Sequence, residues 1–172
     1  ILKVKKMTLI FKSPRDKSYF FGYYGKSQLD KKNYKLLALE TNFTKRLPQK
    51  GDEAKIGYFE IKQKKAQFKQ LAITKTFNWQ QGCMLQWLGP TYNNLIIYND
   101  LYKKKFCSII MNIITKKKIL LPMPVYDVNA EGTKAICIDF ERHYFCRRGY
   151  SYAGIENFDK NKKVVDDDGY LA

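Results

Sequence analysis

Short runs of β-branched and aromatic residues recur along the chain, each bounded by Gly, Pro, Asn or Asp. This pattern limits the chain to packed β-structure more than any other feature. The runs are Tyr19–Tyr24, Lys35–Glu40, Lys55–Lys62, Gln70–Thr76, Leu95–Asn99, Phe106–Ile114, Lys118–Leu121 and Lys134–Phe140. No stretch of about 11 residues keeps an apolar stripe at helical period between caps. Gln63–Gln70 contains helix formers, but it lies between two strand runs and reads as a hairpin connection. With 172 residues, 45% of them hydrophobic, the chain can bury one modest core. That composition excludes an intrinsically disordered chain, and no apolar run reaches the ~18 residues of a membrane-spanning helix.

A weak internal repeat organises these strands. Ser27–Glu40, Trp87–Asp100 and Asp127–Phe140 each read as a short strand end, a polar turn and a buried strand. The buried strands begin near Leu36, Leu95 and Ala135. Spacings of that size suit four-stranded propeller blades, with these strands innermost. A second hairpin follows the first two copies: Ile56–Ile61 with Phe68–Thr74, and Ser108–Ile114 with Lys118–Leu121. The expected fold is all-β, a partial β-propeller of about three blades of four-stranded antiparallel sheets in a single domain spanning 1–172. Its repeats lie near 19–82, 87–124 and 127–172, the last incomplete. After Phe140 a long loop rich in Arg, Tyr and Gly is expected, then a turn at Asp166–Gly169 opening a further strand. Three blades cannot close a ring, so the missing propeller half or a second copy of the chain is an expected partner.

Charge is uneven. The net charge is +16, and residues 1–76 carry most of the excess. A basic half is a footprint for nucleic acid, anionic lipid or acidic glycan. Most of the basic residues are Lys, whereas base edges are read mainly by Arg. A solvated surface is therefore the plainer reading, and a basic nucleic-acid-binding protein stands as a distant alternative. The basic N-terminus lacks the apolar core and cleavage site of a secretory signal, so a cytoplasmic location is the expectation. The chain opens on Ile1, with Met7 a candidate natural start unless the sequence was cut upstream. Four cysteines at 83, 107, 137 and 146 form no C-x-x-C pair. With one histidine no zinc spacing exists, and the first three read as buried free thiols.

Candidate ligand-binding residues fall in two loops. Asn78, Gln80 and Gln81 offer amide donors and acceptors for sugar hydroxyls, and Trp79 offers an apolar face to a pyranose. Arg142 and Arg147 form a possible clamp for a carboxylate or phosphate, with Tyr150 and Tyr152 beside it. The competing structural readings are that Trp79 plugs a sheet interface, that the amides satisfy backbone, and that the arginines stack on aromatics. In Tyr19–Tyr24 alternation sends at least half the rings into the core. Asn99 and Asp100 read as a turn cap. Asp166–Asp168 lacks the spaced ligands and terminal Glu of a calcium loop. His143 beside Glu141 would need a nucleophile that no spacing supplies. No catalytic residue, metal ligand or phosphate loop is assigned.

Four stretches carry a resemblance. Tyr19–Ser27, Asn78–Leu88, Pro124–Tyr126 and Phe140–Gly154 resemble, in order, the motifs of an uncharacterised bacterial family of TolB-like six-bladed β-propellers, similar to oligogalacturonate lyase. The chain resembles that family's N-terminal half. It departs from the family pattern at Ser18 for His, Gly25 for Asp and Arg148 for Pro. The resemblance implies a propeller binding module for acidic oligosaccharides, or for a partner in surface-polysaccharide metabolism. The alternative it implies is part of a metal-dependent lyase acting on uronates. No cofactor is expected on this chain, and a divalent metal would need a His-rich second half.

Overall fold

The computed structural model describes residues 9, 11–62, 66–147 and 149–155. The expected turn at Asp166–Gly169, Arg148, the first eight residues and part of the Gln63–Gln70 connection lie outside the described residues. The fold is mostly β, with antiparallel sheets. The first sheet holds β1 (Ser18–Phe20), β2 (Lys35–Thr41), β3 (Ala54–Glu60) and β4 (Lys69–Thr74), in chain order. The second holds β5 (Gln86–Trp87), β6 (Leu95–Tyr102), β7 (Lys105–Asn112) and β8 (Lys118–Leu121), again in order. A two-stranded sheet pairs β9 (Val125–Val128) with β10 (Ala135–Cys137).

The strands beginning near Leu36, Leu95 and Ala135 are second in their sheets, with the short β1, β5 and β9 paired ahead of them. One detail differs from expectation. Beyond β10 the expected loop is a seven-residue helix, α1 (Phe140–Cys146). Asp139 starts it, its carboxylate accepting from the N–H groups of Glu141 and Arg142 at 2.8 and 3.0 Å. That cap satisfies two of the donors a helix start leaves open. The helix is too short to have shown a periodic stripe, and among the described residues the third sheet stops at two strands.

The turns before β2 and β10 share one construction. The Asp30 carboxylate accepts from the N–H groups of Tyr34 and Lys35. The Asn129 carbonyl accepts from those of Thr133 and Lys134. Three residues after each acceptor the backbone turns left-handed, at Asn33 (φ 52°) and Gly132 (φ 70°). Such a side chain substitutes for a backbone turn acceptor, so the polar residue specifies the turn locally.

The main core fills the space among the first two sheets and the chain between them. Leu37 and Leu39 of β2, Ile56 of β3, and Ile96 and Tyr98 of β6 are buried in it together with Phe77 and Leu85. Each buried aliphatic contributes about 1.5–3 kcal/mol. A second cluster joins Met84, Phe106, Phe140 and Tyr152, and a third joins Leu88, Ile97 and Val125. The Thr74 hydroxyl donates to the Asn99 carbonyl at 2.9 Å, fastening the end of β4 to β6.

Candidate functional site

The crossing from the first sheet to the second carries the Asn78–Gly82 turn. Asn78 and Gly82 exchange two backbone hydrogen bonds at 3.0 Å. The Asn78 carbonyl oxygen also accepts from the N–H groups of Gln80 and Gln81, at 3.0 and 2.7 Å. The side-chain oxygen is thereby committed and the amide nitrogen is turned away from the turn. That nitrogen has no hydrogen-bond partner, although Asn78 is only 1% exposed. The Gln81 side-chain oxygen is likewise buried without a partner, while Gln80 is exposed at the turn's tip. A buried amide left unmatched costs roughly 1–3 kcal/mol, which is why such groups concentrate where something else binds.

The turn docks tightly on the chain leaving β1. A Cβ on Gly22 (φ +121°) would stand 2.4 Å from the Gly82 nitrogen, and one on Gly82 (φ +59°) 2.4 Å from the Phe21 carbonyl oxygen. Only glycine allows both the backbone angles and the approach. Trp79 is wedged among Phe20, Phe43 and Phe77, with ring centroids 4.9, 5.4 and 6.0 Å away. Its indole N–H donates to the Arg46 carbonyl at 2.7 Å. Trp79 thus joins the turn to the β2–β3 connection, residues 42–53, and is half-buried there.

That connection, the turn and the segment from α1 onward enclose a cleft of about 340 Å3. Arg46, Leu47, Pro48 and Gln49 form one wall, and Asn78 lies across from Tyr144, Gly149 and Ser151. An adjoining recess of about 400 Å3 shares Pro48, Gln49 and Tyr144 and extends to Lys50, Phe145 and Gly154. The two candidate loops therefore do meet, but through Asn78, Tyr144, Gly149 and Ser151. Arg142 is half-buried on α1. The Arg147 guanidinium lies 4.0 Å from the centre of the Tyr150 ring and is not part of the cleft lining. Tyr152 is 1% exposed, stacked on Phe140 at 4.5 Å and hydrogen-bonded to Asn99, so it faces the core and not a ligand.

Charge in the cleft is arranged unevenly. Arg46 meets Asp52 through both carboxylate oxygens and lies 3.9 Å over the Phe43 ring. The hydrogen bond from Arg46 holds the Asp52 carboxyl below the usual carboxylate range. Arg46 is thus neutralised within its own loop and shapes the wall. Burial, with the Arg147 charge adding to it, pushes the His143 imidazole below its usual range. Burial raises Glu141, and Asp139 adds to the rise. Arg147, exposed and two residues before the cleft-lining Gly149, keeps its guanidinium against the Tyr150 ring.

Arg46 and Gln49 belong to no motif, and Tyr144 and Ser151, within the Phe140–Gly154 stretch, were not among the candidate residues. For Arg46 and Gln49 the available signal was length: a 12-residue connection between two strands is long for a hairpin, and such loops often carry function. Among the described residues no helix is long and apolar enough to cross a membrane. No family model matches the chain, and neither the curated proteins nor the solved structures include a significantly similar one.

Proposed function

We propose that this chain is a β-propeller portion acting as a binding module, and that the cleft between the 42–53 connection and α1 takes an acidic oligosaccharide. The observation that carries the reading is Asn78: a residue lining the cleft whose buried amide nitrogen lacks a partner. Around it the lining holds the neutral hydrogen-bonding groups Gln49 and Tyr144, which suit hydroxyls, while the buried Ser151 hydroxyl donates to the Phe140 carbonyl. Arg147, exposed two residues before the cleft-lining Gly149, is the arginine that would meet a uronate carboxylate.

The propeller reading is supported by two four-stranded meanders in chain order, and by the matching turns before β2 and β10. Further blades would come from another polypeptide segment or a second copy. A crystal structure in which the sheets stack as a flat sandwich, with no common axis, overturns that part.

The binding reading is tested by calorimetric titration with oligogalacturonate. Binding is expected in the native protein, weakened about tenfold in Tyr144→Ala and in Arg147→Ala. Arg147→Lys should recover only part of the loss, because Lys lacks the planar fork. Absence of binding by the folded native protein overturns the assignment, as does unchanged affinity in both alanine variants.

A further inference from the structure

At the other end of β2 from the cleft, the loop between β1 and the Asp30 turn holds a second concavity of about 360 Å3. Tyr23 and Tyr24 stand on it, their rings stacked at 4.6 Å and 25°. Tyr24 is 85% exposed. An exposed aromatic on a loose loop would need no explanation, but this loop is held at several points. Gly22 abuts the Gly82 backbone. The Lys26 N–H donates to the Tyr23 carbonyl at 3.2 Å, and the Trp87 indole donates to the Gln28 carbonyl at 3.1 Å. Lys26 also forms an ion pair with Asp127 of β9, and its side chain is only 8% exposed.

A fixed loop that keeps the Tyr24 ring in water, backed by the half-buried Tyr23, presents a pre-formed apolar platform. The charge arrangement selects what can lie on it. Lys26 is balanced by Asp127, so the cavity wall is polar without a net charge to offer an anion. The exposed Gln28 amide supplies neutral donors and an acceptor beside the rings, and the Ser27 hydroxyl, which donates to the Leu29 carbonyl at 3.1 Å, supplies an acceptor. We propose that Tyr23 and Tyr24 form a stacking platform for a neutral pyranose ring of a glycan chain, with Gln28 and Ser27 meeting its hydroxyls. This site shares no residue with the Arg46–Tyr144 cleft, and it stands or falls separately from the reading of that cleft.

Saturation-transfer NMR with cellohexaose and maltohexaose, which present the same ring in two linkages, tests it. Transfer from aromatic protons to the sugar ring is expected with at least one of them, at millimolar affinity or tighter. Tyr24→Ala should reduce that affinity about tenfold, since the exposed ring carries the stacking. Tyr24→Phe should retain it. The circular dichroism of both variants should match the native protein, because Tyr24 is outside the core. No transfer from either sugar to the folded protein overturns the platform, and so does unchanged affinity in Tyr24→Ala. Binding of a short single-stranded oligothymidylate in preference to both sugars also overturns it, because stacking would then serve a nucleobase. Tyr144→Ala, which weakens the cleft, should leave this binding unaltered.

Discussion

The Asn99 side-chain amide on β6 donates to the Tyr152 hydroxyl at 3.0 Å, across 53 residues of chain. The same amide nitrogen donates to the Val125 carbonyl at 2.8 Å, and its oxygen accepts from the Val125 N–H and the Ser108 hydroxyl. The Ser108 oxygen also lies 2.7 Å from the Met123 carbonyl, an alternative acceptor for its single proton, and accepts from the Val125 N–H at 2.8 Å. One fully buried polar side chain thus ties the second sheet to the start of the third and to the segment beyond α1. Such a network is stable only while every member is matched.

Asn99→Ala is therefore expected to be severely destabilising. It strands the Val125 carbonyl and the Tyr152 hydroxyl, each worth roughly 1–3 kcal/mol when buried and unmatched. Urea unfolding should show a lower midpoint with an unchanged slope. A shift near zero would mean that water replaces the amide without loss.

The close approach of two loops makes a graded glycine series. Gly22→Ala and Gly82→Ala place a Cβ 2.4 Å from backbone atoms at positive φ, and each is expected to lose more than about 2 kcal/mol. Gly51→Ala also has positive φ, +92°, but nothing within 4 Å. It should cost only the left-handed strain, about 1 kcal/mol. Equal thermal shifts at the three positions would contradict the docking of the turn on β1.

Thiol labelling should be ordered by burial. Cys146 is exposed at the end of α1, whereas Cys83 and Cys107 are buried. Burial pushes the Cys83 thiol far up and the Cys107 thiol up to about 11, with Asp100 adding to both. Because the thiolate is the reactive form, brief alkylation at neutral pH should modify Cys146 first. Cys83 and Cys107 should react only after unfolding. Intact-mass and peptide analysis reads the order directly, and early modification of Cys83 would refute it.

Acid should weaken the fold in two steps. His143 has a depressed pKa, so on acidification the unfolded chain takes up that proton first. Its contribution is complete above the ordinary histidine range, about 6.5, and declines as pH falls through it. Asp52 has a depressed carboxyl pKa because Arg46 hydrogen-bonds it. Its contribution is present above the unfolded carboxylate value and is lost as pH falls through the lower folded one. His143→Gln should flatten the upper step, and Asp52→Asn the lower one, in melting temperature measured against pH. A lower step that survives Asp52→Asn would assign it to other carboxylates.

Strand positions were readable because their signals are local. Alternation and turn residues marked β2, β3, β4, β6, β7 and β8 to within a few residues. The extent of β1 was not: Tyr19–Tyr24 looks like a strand throughout, yet pairing stops at Phe20, where Gly22 turns the chain toward Gly82. The β6–β7 turn places Lys103 and Lys104 at positive φ, a conformation that Asn or Gly would have announced. The helix at Phe140–Cys146 was hidden for a different reason. Its one clear mark, the Asp139 cap, looks the same as a turn residue until the N–H groups it receives are known.

The sequence by itself determined an antiparallel β-chain, the turns at Asp30 and Asn129, and the glycine-bearing Asn78–Gly82 stretch. These rest on interactions between residues a few places apart, where pattern and propensity decide the outcome. Only the tertiary structure decided which side chains meet. It sent Trp79 and Tyr152 into packing, balanced Arg46 with Asp52, brought Asn78 opposite Tyr144 and Ser151, and left Tyr24 in water. Each of those outcomes depends on how the sheets and loops dock against one another. That docking is set by long-range packing of Leu37, Ile56, Ile96 and Tyr98 and by the Asn99 network, which no local pattern records.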